Sequence, residues 1–181
     1  MEKADFLDKI NKIKLIISDV DGILTDATIH IHSDGIESKQ FTVHDGAGSA
    51  TARIAGIPIA LLSGRYSEAT TIRAREMGIP HCFQGKLNKI EDFVKLCEIY
   101  NVSADEVAYI GDGLIDIPVI EKSGIAFSPP NSHPLILEMT DVITKRSGGT
   151  GVLQEVVEFI LKAQNRFDET IIKMRKEVYK G

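Results

Sequence analysis

The strongest constraint on the fold of this 181-residue chain is a short apolar run, Leu15 to Ile17, which aspartates follow almost at once. An apolar run of this length predicts a strand that is buried on both faces of a parallel sheet. Asp19 and Asp21 then lie at the carboxyl end of the strand, where open α/β sheets place their ligands. Because side chains alternate along an extended chain, these two carboxylates point the same way, and Gly22 lets the chain turn away.

Two carboxylates at the mouth of a parallel sheet suit Mg²⁺, a hard cation that takes few protein oxygens and shares the rest with water and phosphate. One of them, Asp19, can also attack phosphorus and form an aspartyl-phosphate. An Asp-x-Asp pair alone is common in solvated turns and helix caps. Its meaning therefore depends on what the other strand ends supply.

Strand and helix patterns alternate along the rest of the chain. Ile59 to Leu62 predicts a second buried strand and Val107 to Ile110 a third. Shorter strands are expected at 82–83, 125–127 and 142–143, and helices at 4–12, 67–77, 89–100, 116–122 and 152–163, with one more ending at 55. This alternation predicts an α/β, Rossmann-like parallel sheet with helices on both faces.

The segment at residues 27–43 alternates in polarity on either side of Ser33-Asp34-Gly35, which is typical of a β-hairpin. Directly after the carboxylates, such a hairpin would stand over the strand end as a small flap, with no separate cap domain. The same periodicity fits a simple extension of the sheet equally well.

The composition is that of an ordinary globular protein, with 43% hydrophobic and 26% charged residues. A net charge of −5 gives no reason to expect nucleic-acid binding. Apolar runs fall well short of the ~20 residues of a membrane span, and Met1 to Asn11 lacks the apolar core of a signal peptide. Cys82 and Cys97 lack the spacing of a zinc site and suit a reducing compartment. We therefore expect a cytoplasmic protein that binds neither nucleic acid nor membrane.

The chain is expected to form one domain over residues 1–165, followed by a charged tail at 166–181. The tail carries no motif. We expect it to be either a mobile segment that reaches a neighbouring site or a frayed helix.

Polar residues at the other strand ends complete a possible phosphoryl-transfer site. Ser63 ends the second strand, and Asp112 ends the third with Asp116 one helical turn later. Lys89 opens a helix, so that its ammonium group and the helix N-terminus can both face an anion. Phosphoryl transfer needs this inventory of a nucleophile, a cation and donors for the phosphoryl oxygens. Each residue alone is ordinary, but such placement at three successive strand ends is an improbable accident.

This pattern resembles the haloacid dehalogenase superfamily of aspartyl-phosphate phosphatases. The matching stretches are Asp19-Val20-Asp21-Gly22, Leu61-Leu62-Ser63-Gly64-Arg65, Asn88-Lys89 and Gly111-Asp112-Gly113-Leu114-Ile115-Asp116. Residues 12–165 resemble more closely the capless 3-deoxy-D-manno-octulosonate 8-phosphate phosphatases of lipopolysaccharide synthesis. The additional matches are His44-Asp45-Gly46, Phe83-Gln84-Gly85, Ile115-Asp116-Ile117-Pro118, Ser132-His133-Pro134-Leu135 and Gly148-Gly149-Thr150-Gly151.

The resemblance implies a Mg²⁺-dependent reaction at the aspartates. Asp19 is then the nucleophile and a metal ligand. Asp21 is the general acid that protonates the leaving sugar oxygen and later the base that activates water, while its backbone carbonyl binds the metal. Asp112 is the third metal ligand, and Asp116 supports the metal shell and the phosphate-binding lysine.

The resemblance also implies the groups that hold the substrate. Ser63 and Lys89 then bind the phosphoryl group. Arg65, Arg73 and His44 occupy positions that bind the sugar acid in such enzymes, and the fork of an arginine suits a carboxylate. The resemblance further implies a homotetramer in which hairpins like residues 28–41 pack together and a neighbouring subunit completes the site.

Three positions depart from the family pattern. Gly113 stands where many relatives carry a second aspartate, and His44 and Thr150 stand where the octulosonate enzymes usually carry arginine. The loss of two positive charges leaves open a nine-carbon substrate such as deaminoneuraminate or acylneuraminate 9-phosphate. A further alternative is a non-catalytic assembly module on the same scaffold. The presence of both Asp19 and Asp21 argues against it.

Overall fold

The computed structural model describes residues 3–178 and confirms the predicted α/β class. The strands are β1 Leu15–Ser18, β2 His30–Ile31, β3 Glu37–Ser38, β4 Ile59–Ser63, β5 Cys82–Gln84, β6 Val107–Ile110, β7 Ile125–Ser128 and β8 Val142–Ile143. The helices are α1 Lys3–Lys12, α2 Val43–Ala55, α3 Glu68–Glu76, α4 Ile90–Tyr100, α5 Ile117–Ile120, α6 Pro134–Met139, α7 Val152–Ala163 and α8 Phe167–Val178.

Strand β1 lies inside a six-stranded sheet with the order β5-β4-β1-β6-β7-β8. Each neighbouring pair in this sheet is parallel. The chain passes from β1 to β4 and β5 on one side, and then returns to β6 on the other side of β1. The sheet therefore has a topological switch point between β1 and β6, the position at which doubly wound sheets bind their ligands.

The core has two layers because successive residues of each buried strand face opposite sides of the sheet. In β1, Ile16 packs with the apolar faces of α1, α2, α3 and α7. Its neighbours Leu15 and Ile17 pack with α4, α5 and α6. The four residues of β1 are all buried, as the apolar run predicts.

The hairpin of β2 and β3 forms a separate two-stranded antiparallel sheet. Its turn includes Gly35, whose φ of +83° is the left-handed conformation that glycine adopts without strain. The structure thus rejects the extension of the main sheet and favours the flap. We call residues 27–43 the flap, and the described part of the chain shows no separate cap domain.

The structure agrees with one of the predicted helix ends and corrects two other helices. Gly56 closes α2 in the left-handed conformation, with φ +75°. The predicted helix at 89–100 begins at Ile90, with Lys89 at its N-cap position. The predicted helix at 116–122 is instead a 3-10 turn at Leu114–Asp116 followed by the short α5.

The predicted boundary at residue 165 falls in the loop between α7 and α8. Helix α8 packs against α2 and α7. Thr170 on it is buried, and the Lys162 ammonium lies 4.6 Å from the centre of the Phe167 ring. The last part of the predicted tail, residues 179–181, lies outside the described residues. Among residues 3–178, no helix is long and apolar enough to cross a lipid bilayer.

Candidate active site

A cleft of about 460 Å³ opens at the carboxyl ends of β1, β4 and β6, on the edge of the sheet where the sequence predicted the site. It is lined by Asp19, Asp21, Ala27, Ile29, Ser63, Gly64, Arg65, Leu87, Asp112, Gly113 and Ile115. Parallel strands end at one edge of a sheet, so residues from three separate strand ends converge here.

Asp19 lies at the floor of the cleft and is only 5% exposed. Its backbone N–H donates to the Ile110 carbonyl at 2.9 Å, which ties it to the neighbouring strand β6. Its Oδ1 accepts the Val20 N–H at 2.6 Å, and its Oδ2 lies 2.8 Å from the Lys89 ammonium. Burial raises the pKa of Asp19 to about 7, against the opposing effect of Lys89.

Lys89 is a fully buried lysine that two carboxylates neutralise. Its ammonium lies 2.6 Å from Asp116 Oδ1 as well as 2.8 Å from Asp19 Oδ2. Burial alone lowers the pKa of a lysine, but the charges of Asp19 and Asp116 outweigh it and raise the pKa of Lys89. A lysine held in this way stays charged at the base of the cleft, as the binding of an anion requires.

Asp116 organises this region through both of its carboxylate oxygens. The Tyr109 hydroxyl donates to Oδ1 at 2.5 Å, in addition to the Lys89 ammonium. Oδ2 accepts the backbone N–H groups of Asp112 at 3.1 Å and Gly113 at 2.9 Å. Asp116 accepts two protein donors on each oxygen, which uses its lone-pair positions, so it orients Lys89 and the Asp112 loop and has little capacity left to bind a cation. Asp19 accepts one donor on each oxygen and keeps that capacity.

Asp19, Asp112 and Asp116 each bring a carboxylate oxygen within 4.8 Å of the others. Burial and the nearby Asp116 charge raise the pKa of Asp112 to about 6. Carboxylates that are close together and poorly solvated favour a cation between them, and oxygen donors suit Mg²⁺. With Asp116 occupied by its donors, Asp19 and Asp112 are the carboxylates that fit a magnesium ion.

The Asp112 carboxylate packs directly over Gly22, the residue that follows the Asp-x-Asp pair. A Cβ atom at Gly22 would lie 2.1 Å from Asp112 Oδ2. Gly22 also has φ +85°, a conformation that other residues rarely adopt. Glycine is therefore required here for two reasons, the turn of the chain and the close approach of the carboxylate.

Asp21 is the second carboxylate of the pair, and its partner comes from the flap. Lys39 Nζ lies 2.6 Å from Asp21 Oδ1. The sequence analysis missed Lys39, because a lysine in an alternating hairpin is typical of a solvated surface. Tyr109 was missed as well, although a tyrosine in a buried strand signals a hydroxyl that needs a partner.

Ser63 and Arg65 line the cleft from the end of β4. The Ser63 hydroxyl accepts the Arg65 N–H at 3.3 Å and donates to the Arg65 carbonyl at 3.0 Å, which holds the loop in place. The Arg65 guanidinium forms an ion pair with Glu37 of the flap. The structure places both residues at the cleft, and their roles in binding stay predictions.

Arg73 and His44 lie outside the residues that line the cleft. The Arg73 guanidinium donates to the Thr42 carbonyl at 2.9 Å and pairs with Glu76 at 3.2 Å. His44 is exposed in the first turn of α2, where its N–H donates to Thr42 Oγ1 at 3.3 Å. Their contact with a sugar acid therefore stays a prediction.

Two of the departures from the family pattern lie in loops near the cleft. Gly113 lines it and donates its N–H to Asp116. Thr150 closes its glycine-rich turn through a 2.6 Å hydrogen bond from its hydroxyl to the Ser147 carbonyl. That turn packs against the loop after β1, since a Cβ atom at Gly148 would lie 2.0 Å from the Gly22 carbonyl oxygen.

Comparison with known proteins identifies the family of this chain. A family model described as haloacid dehalogenase-like hydrolase matches residues 36–124. The chain is 39% identical over 166 residues to the 3-deoxy-D-manno-octulosonate 8-phosphate phosphatase of Escherichia coli K12, covering 92% of this chain and 88% of that protein. The chain thus belongs to the haloacid dehalogenase-like hydrolases.

Solved structures identify the family within this superfamily of hydrolases. The structure of a phosphatase of the same name from Moraxella catarrhalis, in complex with a magnesium ion, a phosphate ion and a KDO molecule, superimposes with a TM-score of 0.90. It is 39% identical, and the match covers 96% of this chain and 99% of that one. A putative hydrolase of the superfamily from Legionella pneumophila has a TM-score of 0.91 at 36% identity, covering 96% and 95% of the two chains. The chain belongs to the family of 3-deoxy-D-manno-octulosonate 8-phosphate phosphatases.

Proposed function

We propose that this enzyme hydrolyses 3-deoxy-D-manno-octulosonate 8-phosphate to the free sugar acid and phosphate, in lipopolysaccharide synthesis. The observation that carries the proposal is the pairing of Asp19 with the buried Lys89 in a chain 39% identical to the relative that binds magnesium, phosphate and KDO. A carboxylate nucleophile beside a fixed cation, at the switch point of the sheet, is the arrangement that phosphoryl transfer needs.

The reaction has two steps, which Asp19 and Asp21 share. Asp19 attacks phosphorus while Asp21 protonates the departing sugar oxygen, which gives an aspartyl-phosphate and the free sugar acid. Asp21 then takes a proton from water as the water attacks phosphorus, and Asp19 is released together with inorganic phosphate. Lys89 and Ser63 hold the phosphoryl oxygens during both steps.

The cofactor is Mg²⁺. The residues that would hold it are Asp19 and Asp112 through their carboxylates, and Asp21 through its backbone carbonyl. When bound, the ion neutralises the charge of the phosphoryl group. Asp116 keeps Asp112 in place by accepting the backbone N–H groups of Asp112 and Gly113.

The flap offers a surface through which copies of the chain can associate. Ile29, Ile31 and Ile36 on the flap are 42%, 71% and 62% exposed, and exposed apolar residues grouped on one hairpin are typical of an interaction surface. We propose that four copies associate in the cytoplasm with these hairpins in contact. Light scattering of the purified protein tests this, with Ile31→Glu expected to shift the mass toward the monomer.

Phosphate release in the presence of Mg²⁺ tests the proposed reaction. The panel contains the eight-carbon acid phosphate, a nine-carbon keto-acid phosphate and ordinary hexose phosphates, with Asp19→Asn as the inactive control. We expect a clear preference for the eight-carbon substrate in kcat/KM. A preference for the nine-carbon acid would point to His44 and Thr150, the two positions that lack arginine. No release from any ester would support the non-catalytic module instead.

A further inference from the structure

A row of alternating charges runs from the rim of the cleft through the flap to Asp21. The Arg65 guanidinium pairs with Glu37 Oε2, while Glu37 Oε1 lies 3.8 Å from Lys39 Nζ. Lys39 Nζ in turn lies 2.6 Å from Asp21 Oδ1. The residues of the flap thus reach the general acid and base directly.

The lysine in this row is not a surface residue. The Lys39 side chain is 0% exposed, and Asp21 is the group to which it donates a hydrogen bond among residues 3–178. Taking an ammonium group out of water is unfavourable unless a counter-charge compensates it, and here Asp21 supplies that charge. Because the compensating charge belongs to a residue of the cleft, Lys39 and Asp21 form a direct contact next to the reacting groups.

The contact constrains the Asp21 carboxylate. Within residues 3–178, both of its side-chain hydrogen bonds go to Oδ1, from Lys39 at 2.6 Å and from the Thr25 hydroxyl at 3.5 Å. Asp21 lines the cleft with a quarter of its side chain exposed. Oδ2 is therefore the oxygen left to exchange a proton with the substrate or with water.

We propose that Lys39 is a positioning residue that fixes the Asp21 carboxylate by its Oδ1 and so presents Oδ2 for both proton transfers. This inference rests on the role of Asp21 in the proposed function. In the first step the proton moves from Oδ2 to the sugar oxygen as its bond to phosphorus breaks. In the second step Oδ2 takes a proton from the attacking water. Lys39 keeps its own protons throughout and acts only through Asp21.

The proposal makes the effect of Lys39 depend on the leaving group. A sugar alkoxide needs a proton to depart, whereas p-nitrophenolate departs without one. We expect Lys39→Met to lower kcat/KM for the sugar acid phosphate by about 10² or more, the usual contribution of a positioned general acid. For p-nitrophenyl phosphate we expect a loss of less than about tenfold, because kcat/KM ends at formation of the aspartyl-phosphate. Lys39→Arg is expected to recover part of the loss.

A double-mutant cycle separates positioning from other roles. If Lys39 acts through Asp21, adding Lys39→Met to Asp21→Asn should cause little further loss on the sugar substrate. Lys14→Met is the matched control, since Lys14 pairs with Glu106 at the opposite end of the sheet. This control is expected to match the wild type on both esters.

Equal losses on the two esters, or a loss confined to KM, would overturn the proposal and make Lys39 a structural or phosphate-binding residue. Unchanged activity on both would overturn it too. Activity on p-nitrophenyl phosphate also shows that the variant is folded. If the wild type prefers another alkyl phosphate, the proposed substrate fails, but the same ratio measured with that ester still decides the role of Lys39.

Discussion

Replacing Asp45 by asparagine is expected to change how the stability of the fold depends on pH. Asp45 belongs to α2 and is only 2% exposed. Its Oδ1 accepts the N–H groups of Leu153 at 3.0 Å and Gln154 at 3.4 Å, at the start of α7. The N-cap residue of that helix is Gly151, which has no side chain of its own to accept these bonds. Asp45 therefore caps α7 from a distant part of the chain.

The magnitude follows from the environment of this carboxyl. Burial raises the pKa of Asp45 from 3.8 to about 6, against the hydrogen bonds from α7 and the charges of Arg73 and Arg146. Because the folded state then binds a proton more tightly than the unfolded state, the stabilising contribution is complete below pH 3.8 and is lost as the pH rises to about 6. At ~1.4 kcal/mol per pH unit, this difference corresponds to about 3 kcal/mol.

Urea unfolding of wild type and Asp45→Asn between pH 4 and pH 7 measures the effect. Asparagine keeps the acceptor for α7 and does not titrate, while the other acidic groups are common to both proteins. We expect the stability of the wild type relative to the variant to fall by about 2.4 kcal/mol from pH 4 to pH 7, because at pH 4 part of the full difference is already lost. Parallel stability curves for the two proteins would refute the reasoning.

Three further substitutions test the packing around the site. Gly22→Ala should lower kcat/KM by about 10² or more and weaken Mg²⁺ binding, because the added Cβ displaces the Asp112 carboxylate. Calorimetry measures the affinity for Mg²⁺, and an unchanged affinity would contradict this. Gly48→Ala should destabilise the fold by about 1–3 kcal/mol, because the added Cβ would lie 2.6 Å from the Gln154 Cα where α2 packs against α7. Thermal unfolding measures this loss, and an unchanged Tm would refute the prediction. Asp116→Asn should cost about 1–3 kcal/mol in urea unfolding, because an amide cannot accept all the donors that the carboxylate accepts, while Asp19 still compensates the charge of Lys89. An unchanged free energy of unfolding would contradict this.

The sequence was sufficient to predict the sheet and the aspartates because both leave local signals. Apolar runs of four or five residues bounded by polar groups predict buried strands, and parallel strands end at one edge. The sequence alone therefore predicts that Asp19, Ser63 and Asp112 lie close together. The sequence also predicted Asp116 as a support for Lys89, and the structure shows that contact at 2.6 Å.

Other features depended on which distant segments pack together. Periodicity favoured the flap and a sheet extension equally, and the pairing of β2 with β3 alone decided between them. Periodicity also could not show that the Arg73 guanidinium donates a hydrogen bond to the Thr42 carbonyl, outside the residues that line the cleft. A helix pattern reports which residues face the core but does not identify the neighbour that each side chain meets.

By itself, the sequence determined the class of fold, the edge of the sheet that carries the site and the carboxylates that occupy it. Only the tertiary structure decided which partners hold those groups: Tyr109 on Asp116, Lys39 on Asp21, and Asp45 on a helix 108 residues further along the chain. The physical reason is that strand and helix periodicities are set by neighbours in sequence. Buried polar groups take whichever donor or acceptor the packing of remote elements brings within about 3 Å.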